Sequence, residues 1–544
     1  MSNGITKLPQ MGNEPIKSYA PGSKERISLQ AKLKELRSKE VDLPMIIGGK
    51  EVRTNKYCDI RPPHDHKHLL GRYHMGSKQN LQDAIDAAMA AKPAWENMPW
   101  ESRAAIFLKA ADLITKKYRD LMNAVTMLGQ SKNAFQAEID SACELSDFYR
   151  FNVKNMADIY AMQPASSDGV WNKTDWRPLE GFVFALTPFN FTAIAGNLPG
   201  APAIMGNVCV WKPSRTAVYS AYTIMQILKE AGLPDGVINL VYCSGGDASD
   251  VIFKSKHFAG IHFTGSTGVF NTIWNNIATN ISTYVSYPRI VGETGGKDYI
   301  LADGTANPLQ VATAIVRGAF EYQGQKCSAA SRAYISSKIW PTVRKKVEED
   351  LAKIKMGGVE DFTNFINAVI DEASFNNIVG YIEGAKSSKD AEVIIGGEYD
   401  KSVGYFIRPT VILAKDPRYV SMREEIFGPV ITIYVYDDKD IDSLLDIMDE
   451  TSVYALTGAI ISADRSMIDK YSKRLRNTAG NFYINDKPTG AVVNQQPFGG
   501  ARASGTNDKA GSFLNLLRWT SPQTIKETFI AAEEYMYPNF LADK

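Results

Sequence analysis

A lone cysteine, Cys327, stands among small and polar residues in "FEYQGQKCSAASR". An unpaired cysteine is ordinarily a small buried hydrophobe. A nucleophilic thiol needs a base, an oxyanion donor and a binding site supplied by the rest of the chain. Two upstream residues have those chemistries. Glu293, in "VGETGGKD", follows an apolar run and precedes two glycines, which puts a carboxylate at a strand end, where open α/β sheets hold ligands. Asn190, in "LTPFNFTAIAG", lies after a proline-made turn at the start of an expected helix and could aim an amide at a developing oxyanion. Each has a plainer alternative, a solvated loop carboxylate for Glu293 and a backbone-satisfying buried amide for Asn190.

Further along, "FTGSTGVF" (263–270) reads as a strand-to-helix junction whose exposed N–H groups could hold a phosphate, although it is not GxGxxG.

The elements that must position these residues follow from the rhythm of the sequence. With 544 residues the chain exceeds one simple core, so two or three domains are expected. Its 61 Lys and Arg nearly balance 60 Asp and Glu, which removes the electrostatic footprint for nucleic acid or an anionic membrane. Five scattered cysteines in no CxxC or Cys/His spacing fit a reducing compartment without a disulfide framework or structural zinc. The N-terminus lacks the apolar core of a secretory signal. From Gly181 to Trp211 no residue is charged, but Pro188, Pro199 and Pro202 make a membrane helix a poor reading; a buried strand, a turn and a buried helix are expected.

Helical periodicity marks "ERISLQAKLKELRSKE", "NLQDAIDAAMAAKPAWENM" and, read as one helix, "ESRAAIFLKAADLITKKYRDLMNAVTM". After about residue 180, short apolar runs alternate with helices: "GFVFALT", "NVCVWKPS", "GVINLVY", "FAGIHFTGS" and "RIVGETGG". A second series runs from near 300 to near 485 through "RAYIS", "YFIRPTVIL", "ITIYVY" and "LTGAIIS". Such alternation predicts parallel sheets with covered faces, hence two α/β domains with a cleft between them.

"TPFNF", "WKPS", "FTGSTGVF", "ETGGK", "GQKC", "EEIFGPV" and "QQPFGGARASG" occur in one fixed order, which closely resembles the aldehyde dehydrogenase superfamily over about residues 45–535. "AEIDSACELSDFYRFN", "GQKCSAASR", "GNFYINDKPTGAVV" and "GGARASGTNDKAG" resemble one branch, the Δ1-pyrroline-5-carboxylate (L-glutamate γ-semialdehyde) dehydrogenases. The resemblance implies two Rossmann-like parallel-sheet domains and a small β oligomerisation element. It divides the chain into an N-terminal arm (1–45), an NAD-binding domain (46–293) with an oligomerisation hairpin near 160–180, a catalytic domain (294–505) and a C-terminal return and tail (506–544).

The roles it implies are Cys327 as nucleophile, Glu293 as general base and Asn190 as oxyanion donor. On the NAD side it implies Thr187, Lys212, the turn Gly265, Ser266, Thr267, Gly268 and Val269, and Glu425 with Phe427. For the substrate it implies an α-carboxylate anchor at Ser328, Gly490 and Ala491 and a pocket wall of Glu144, Phe191 and Phe498. The anchor reads as three donors with no fixed positive charge, and a thiolate forming near neutral pH suits the first step. No metal is implied.

Two positions depart from the superfamily pattern: Phe270 replaces a glycine common in the phosphate turn, and Arg215 stands where many relatives carry an acid, which opens the way to some NADP use. The expected partners are a second copy of the chain, as a homodimer or larger homo-oligomer, and a separate proline dehydrogenase upstream. Nucleic acid and a membrane span are not expected. The location would be cytoplasm in a bacterium or mitochondrial matrix in a eukaryote.

Among rivals, a cysteine hydrolase needs a histidine base, yet all six histidines lie outside 294–505. The run "PPHDHKHLLGRYH" reads as a solvated loop rather than a metal site. A catalytically dead relative is opposed by the intact Cys327, Glu293 and Asn190. Another small ω-semialdehyde, such as succinic semialdehyde, is the alternative substrate.

Overall fold

Strands that read as uninterrupted apolar runs form the centre of a seven-stranded sheet in the computed structural model, which describes residues 6–543. In spatial order they are Arg289–Glu293, Phe258–Thr264, Phe182–Leu186, Val208–Lys212, Ile238–Leu240, Met45–Ile47 and Lys50–Val52. The first five run parallel, and "FAGIHFT" is buried along its whole length, as a strand covered on both faces must be. The last two strands are antiparallel, so the sheet is mixed rather than wholly parallel. The uncharged stretch becomes strand Phe182–Leu186, a turn, and helix Thr192–Ile204 with Pro199 and Pro202 inside it.

The second sheet, also of seven strands, has the order Ala391–Ile395, Thr410–Ala414, Val430–Tyr436, Ala330–Ser336, Asp298–Ala302, Thr457–Ile461 and Asn481–Ile484. Only its edge strand Ala391–Ile395 is antiparallel. "YFIRPTVIL" is two strands, not one: Phe406–Ile407 pairs with Tyr399–Asp400, and the main sheet resumes at Thr410. Pro409 has no N–H to give a ladder, which explains the break.

Other expectations are corrected. The long helical pattern splits into Trp100–Thr115 and Arg119–Gln130, the first ending in a wide turn closed by Tyr118 N–H donating to Leu113 O at 2.9 Å. A three-stranded sheet of Val41–Leu43, Gly71–His74 and Tyr57–Ile60 was not anticipated. Near 160–180 a single strand forms, Val170–Pro178, and it pairs antiparallel with Thr520–Thr528 of the C-terminal segment in a two-stranded ribbon. The histidine run is not a solvated loop either. His64 is buried with Nδ1 3.1 Å from Ser131 Oγ, and His74 is buried between Thr54 and Asp42. Among the described residues no helix is long and apolar enough to cross a membrane.

Parallel pairing fixes where chemistry can sit. Leu186 lies opposite Lys212 and Thr264 opposite Glu293, so four neighbouring strands end at one edge of the first sheet. Thr187, Lys212, Gly265 and Glu293 are therefore gathered at carboxyl ends, the ligand-binding edge of an open α/β sheet.

Candidate active site

Cys327 enters from the other sheet, just before strand Ala330–Ser336. Its approach is unusual: Tyr322, Gln323 and Gly324 all have positive φ (50°, 54° and 65°), which turns the chain sharply after helix Pro308–Phe320. Left-handed backbone at non-glycine residues is costly and must be held by its surroundings. Gln323 Nε2 donates to Ser131 O at 2.9 Å and Ala368 O at 2.8 Å, pinning the turn to two separate segments. Cys327 is buried and lines a cavity of about 720 Å³ together with Asn190. The Asn190 Nδ2 donates to Gln325 O at 3.1 Å, so the amide already lies on the cysteine loop.

Asn190 owes its place to a buried ion pair. Asp140 accepts from the N–H groups of Thr192 (2.9 Å) and Ala193 (2.8 Å), capping the helix that follows Asn190 and Phe191. The same carboxylate takes Lys132 Nζ at 2.6 Å, with both side chains about 1% exposed. Lys132 in turn sits 4.2 Å over the Phe191 ring and 4.5 Å over the Tyr322 ring, tying the asparagine turn to the cysteine turn.

The glycines of "ETGGK" are there for close approach. A Cβ on Gly296 would lie 2.1 Å from Cys327 O, and one on Gly295 would lie 2.3 Å from Glu425 Oε2. Gly296 N–H donates to Glu425 Oε1 at 2.9 Å. Glu293 does not line the cavity; its Oε2 accepts from Gly500 N–H at 3.2 Å. Burial pushes the Glu293 carboxyl well above the usual carboxylate range, opposed by that hydrogen bond and by the Lys509 charge. Burial likewise pushes the Cys327 thiol up, reinforced by the charges of Asp298, Glu293 and Glu425. This environment therefore opposes, rather than assists, the thiolate expected near neutral pH. Glu425 is raised to about 7, chiefly by burial.

Most of the expected cofactor residues meet on the one cavity. Thr187, Lys212, Gly265, Ser266, Gly268, Val269, Glu425 and Phe427 line it. Thr267 does not; its hydroxyl turns to Tyr454 OH at 3.4 Å. Ser266 caps helix Thr267–Thr279, whose N-terminus opens on the cavity at Gly268, where an added Cβ would meet nothing within 4 Å. Lys212 is largely buried and makes no ion pair among the described residues. A helix N-terminus beside an unpaired cation suits a phosphate-bearing ligand. Phe270 leaves that turn free by packing inward, stacked on Phe263 at 5.3 Å and resting on Gly292, where a Cβ would lie 2.3 Å from its ring. Arg215 is solvent-exposed, pairs with Asp371 at 3.1 Å and does not line the cavity.

The expected substrate residues lie off this cavity. Ser328 Oγ is 2.8 Å from Thr489 Oγ1, which brings the Gly490–Ala491 turn to the residue after the nucleophile; Gly490 has φ 98°. The anchor is not free of fixed positive charge as the sequence suggested. Lys326 is buried and pairs with Glu321 at 3.1 Å, and Lys487 Nζ would be 3.1 Å from a Cβ on Gly490. Glu144 ends a π-helical turn, Glu138–Glu144, and is raised to about 8 by burial and by the Asp140 charge. Phe498 is held by a two-way backbone bridge to Ala510, at 3.0 and 2.7 Å.

Comparison with known proteins agrees with this geometry. The model of the aldehyde dehydrogenase family matches residues 51–525. The chain belongs to the aldehyde dehydrogenase family. It is 52% identical over 534 residues to a mitochondrial Δ1-pyrroline-5-carboxylate dehydrogenase of Dictyostelium discoideum, covering 98% of this chain and 96% of that one. It is 51% identical to the Δ1-pyrroline-5-carboxylate dehydrogenase of Agaricus bisporus, covering 98% of each chain. The crystal structure of the Mycobacterium tuberculosis Δ-pyrroline-5-carboxylate dehydrogenase bound with NAD superposes with a TM-score of 0.96 at 50% identity, covering 99% of this chain and 100% of that one.

Within this aldehyde dehydrogenase site, several supporting residues had no signal in the sequence. Asp140 lies 52 residues from the Thr192 helix start that it caps, and Lys132 acts through Asp140. Thr489, Gln323 and Lys326 stood inside quoted motifs, but nothing in their spacing marked them. Lys509 was one more charged residue in "TNDKAG".

Proposed function

We propose that this chain oxidises L-glutamate γ-semialdehyde, in equilibrium with Δ1-pyrroline-5-carboxylate, to L-glutamate with NAD, the second step of proline catabolism. The observation that carries this reading is the meeting of Cys327 and Asn190 on the same cavity as Lys212 and the Ser266-capped helix. The names of close, full-length relatives support it, as does the crystal structure bound with NAD.

In this reading residues 46–293 hold the cofactor and 294–505 supply the nucleophile. Lys212 and the adjacent helix N-terminus would hold the phosphate and ribose portion, with Glu425 and Phe427 at the nicotinamide end. When bound, NAD supplies the hydride acceptor and a positive ring charge. Cys327 gives its thiol proton to water as its sulfur bonds to the aldehyde carbon, and the Asn190 amide, freed from Gln325 O, supports the oxygen left negative as the C=O π bond opens. After oxidation the acyl group is a thioester on Cys327. Glu293 then takes a proton from water as the water oxygen bonds to the acyl carbon, and collapse expels the Cys327 sulfur. Ser328 with the Gly490 and Ala491 amides would grip the α-carboxylate, while Glu144, Phe191 and Phe498 wall the stem.

The ribbon of Val170–Pro178 and Thr520–Thr528 offers a second copy of the chain a docking edge, and we read the protein as at least a homodimer. The reaction that supplies its substrate would be a proline oxidation. The mitochondrial name of the Dictyostelium relative supports a matrix location in a eukaryotic host; in a bacterium the location is the cytoplasm.

The test is a panel of initial rates on short aldehydes with NAD+ and NADP+. Glutamate semialdehyde should give the highest kcat/KM, with NAD+ preferred. A higher value for succinic semialdehyde, which lacks the α-amino group, would overturn the substrate assignment.

A further inference from the structure

The surroundings of the half-buried Glu293 carboxyl favour its neutral form, yet the base of the hydrolysis step must be ionised. One cation stands ready beside it. Lys509, at φ 53°, points its ammonium into the turn on which Glu293 rests. Nζ donates to Gly480 O at 2.7 Å, Gly499 O at 3.0 Å and Asn481 Oδ1 at 3.3 Å. Three donors thus meet three neutral acceptors, and Lys509 forms no ion pair among the described residues. Asn481 completes the clamp, accepting from Gly499 N–H at 3.1 Å and donating to Pro497 O at 3.0 Å. The next amide of that turn, Gly500 N–H, is the one that binds Glu293. A Cβ on Gly499 would lie 3.1 Å from both Glu293 Oε1 and Lys509 N, so carboxylate, turn and lysine backbone are packed face to face.

The other charged or titratable groups facing Glu293 are Asp508 and Cys327. Asp508 opposes ionisation, but Arg518 Nε lies 3.3 Å from its carboxylate and offsets part of its charge. Burial raises the Cys327 thiol and so opposes a second negative charge there. Lys509 is then the cation that faces the carboxylate; burial lowers its own ammonium, and the Glu293 charge opposes that.

We propose that Lys509 is a positioning residue for thioester hydrolysis: its anchored ammonium is the fixed positive charge facing the Glu293 carboxylate, and it holds the Gly499–Gly500 turn that orients it. This rests on the reading of Glu293 as the base.

The sign of the effect follows directly. A nearby cation favours the carboxylate, so removing it raises the pH at which Glu293 ionises. Hydrolysis, which needs the ionised form, should lose its activity on the acid side. In rapid mixing, the NADH burst reports hydride transfer, and acid-trapped acyl-enzyme reports hydrolysis. Lys509→Met should keep a burst near one equivalent per site and move the rising limb of hydrolysis upward by about one pH unit, so that hydrolysis falls about tenfold below the limb. Lys509→Arg should restore the limb. Glu293→Gln should keep the burst and hydrolyse slowly at every pH. If Glu293→Gln loses the burst as well, the base reading itself falls. If Glu293→Gln behaves as expected but Lys509→Met leaves the limb in place, the inference about Lys509 falls alone. Loss of burst and hydrolysis together in Lys509→Met, unrelieved by arginine, would make Lys509 merely structural and overturn the proposal.

Discussion

Asp140→Ala should be among the most damaging substitutions in this molecule away from the reacting atoms. The carboxylate it removes carries three bonds: Lys132 Nζ and the N–H groups of Thr192 and Ala193. With Asp140 gone, Lys132 remains about 1% exposed, its ammonium left against the faces of Phe191 and Tyr322. Breaking a buried pair by removing one partner costs about 3–5 kcal/mol, because the other charge stays unpaired. Two aromatic faces recover part of that, up to about 2 kcal/mol each when desolvated. Two orphaned helix N–H groups add about 1–3 kcal/mol apiece unless water reaches them. A net loss of about 4 kcal/mol is the central expectation. Lys132→Met should be milder, since the carboxylate keeps both backbone donors. The decisive variant is the double one: removing the stranded cation should relieve Asp140→Ala by about 2 kcal/mol, or about 4–8 °C in melting temperature for a domain of this size. Melting curves of the four proteins at one pH would measure it. A double variant melting at or below Asp140→Ala would refute the argument that the stranded charge drives the loss. The kinetic counterpart is a slower NADH burst in Asp140→Ala, because the capped helix sets the place of Asn190.

Three further outcomes are expected. Cys327→Ser should abolish turnover while NAD+ affinity stays within a few-fold; retention of more than about one per cent of activity would remove the thiol from the nucleophile role. Ser328→Ala, or a bulky residue at Ala491, should raise KM for glutamate semialdehyde about tenfold or more and barely change propanal oxidation, since charge-assisted hydrogen bonds contribute about 1.5–3 kcal/mol each; equal losses on both substrates would make the turn structural. Arg215→Ala should leave the NAD+ to NADP+ ratio of kcat/KM within about twofold, because Arg215 faces Asp371 and solvent rather than the cavity; a large drop in NADP+ use would show that the guanidinium swings to a 2′-phosphate.

What could be read in advance was whatever depends on local order along the chain. Strand-end motifs such as "ETGGK" and "FTGST" were legible because a parallel sheet converts sequence order into a shared edge, and the row Leu186–Lys212 and Thr264–Glu293 realises it. Asn190 was legible because an uncharged stretch interrupted by prolines has few ways to fold. Long-range pairing was not. The partner of Val170–Pro178 lies some 350 residues away in the C-terminal strand, and no period in either segment announces the other. The end of the helix at Thr115 was hidden by an apolar spacing that continues in register into Arg119–Gln130. The push on the Cys327 thiol was not legible either, because it comes first from burial and then from Asp298, Glu293 and Glu425 converging on it, which only the fold reveals.

The residues that escaped notice share a physical role, and it explains why the site needs them. Its two halves come from different sheets. Asn190, Lys212 and Glu293 belong to the first, Cys327 and Glu425 to the second, and a thiol misplaced by an ångström loses its advantage over a free one. Contacts crossing the gap therefore set the chemistry: Asn190 to Gln325, Glu293 to Gly500 and the Phe189–Phe427 edge contact at 5.9 Å. The two hydrogen bonds are themselves held from behind, Asn190 to Gln325 by Asp140, Lys132 and Gln323, and Glu293 to Gly500 by Lys509. Apart from the Asp140–Lys132 pair, those backing residues touch backbone carbonyls, amides and ring faces, so their identity follows from the assembled geometry alone. The strained left-handed turn before Cys327 persists for the same reason: contacts to two separate segments hold it, and loosening either should free the nucleophile before it unfolds the protein.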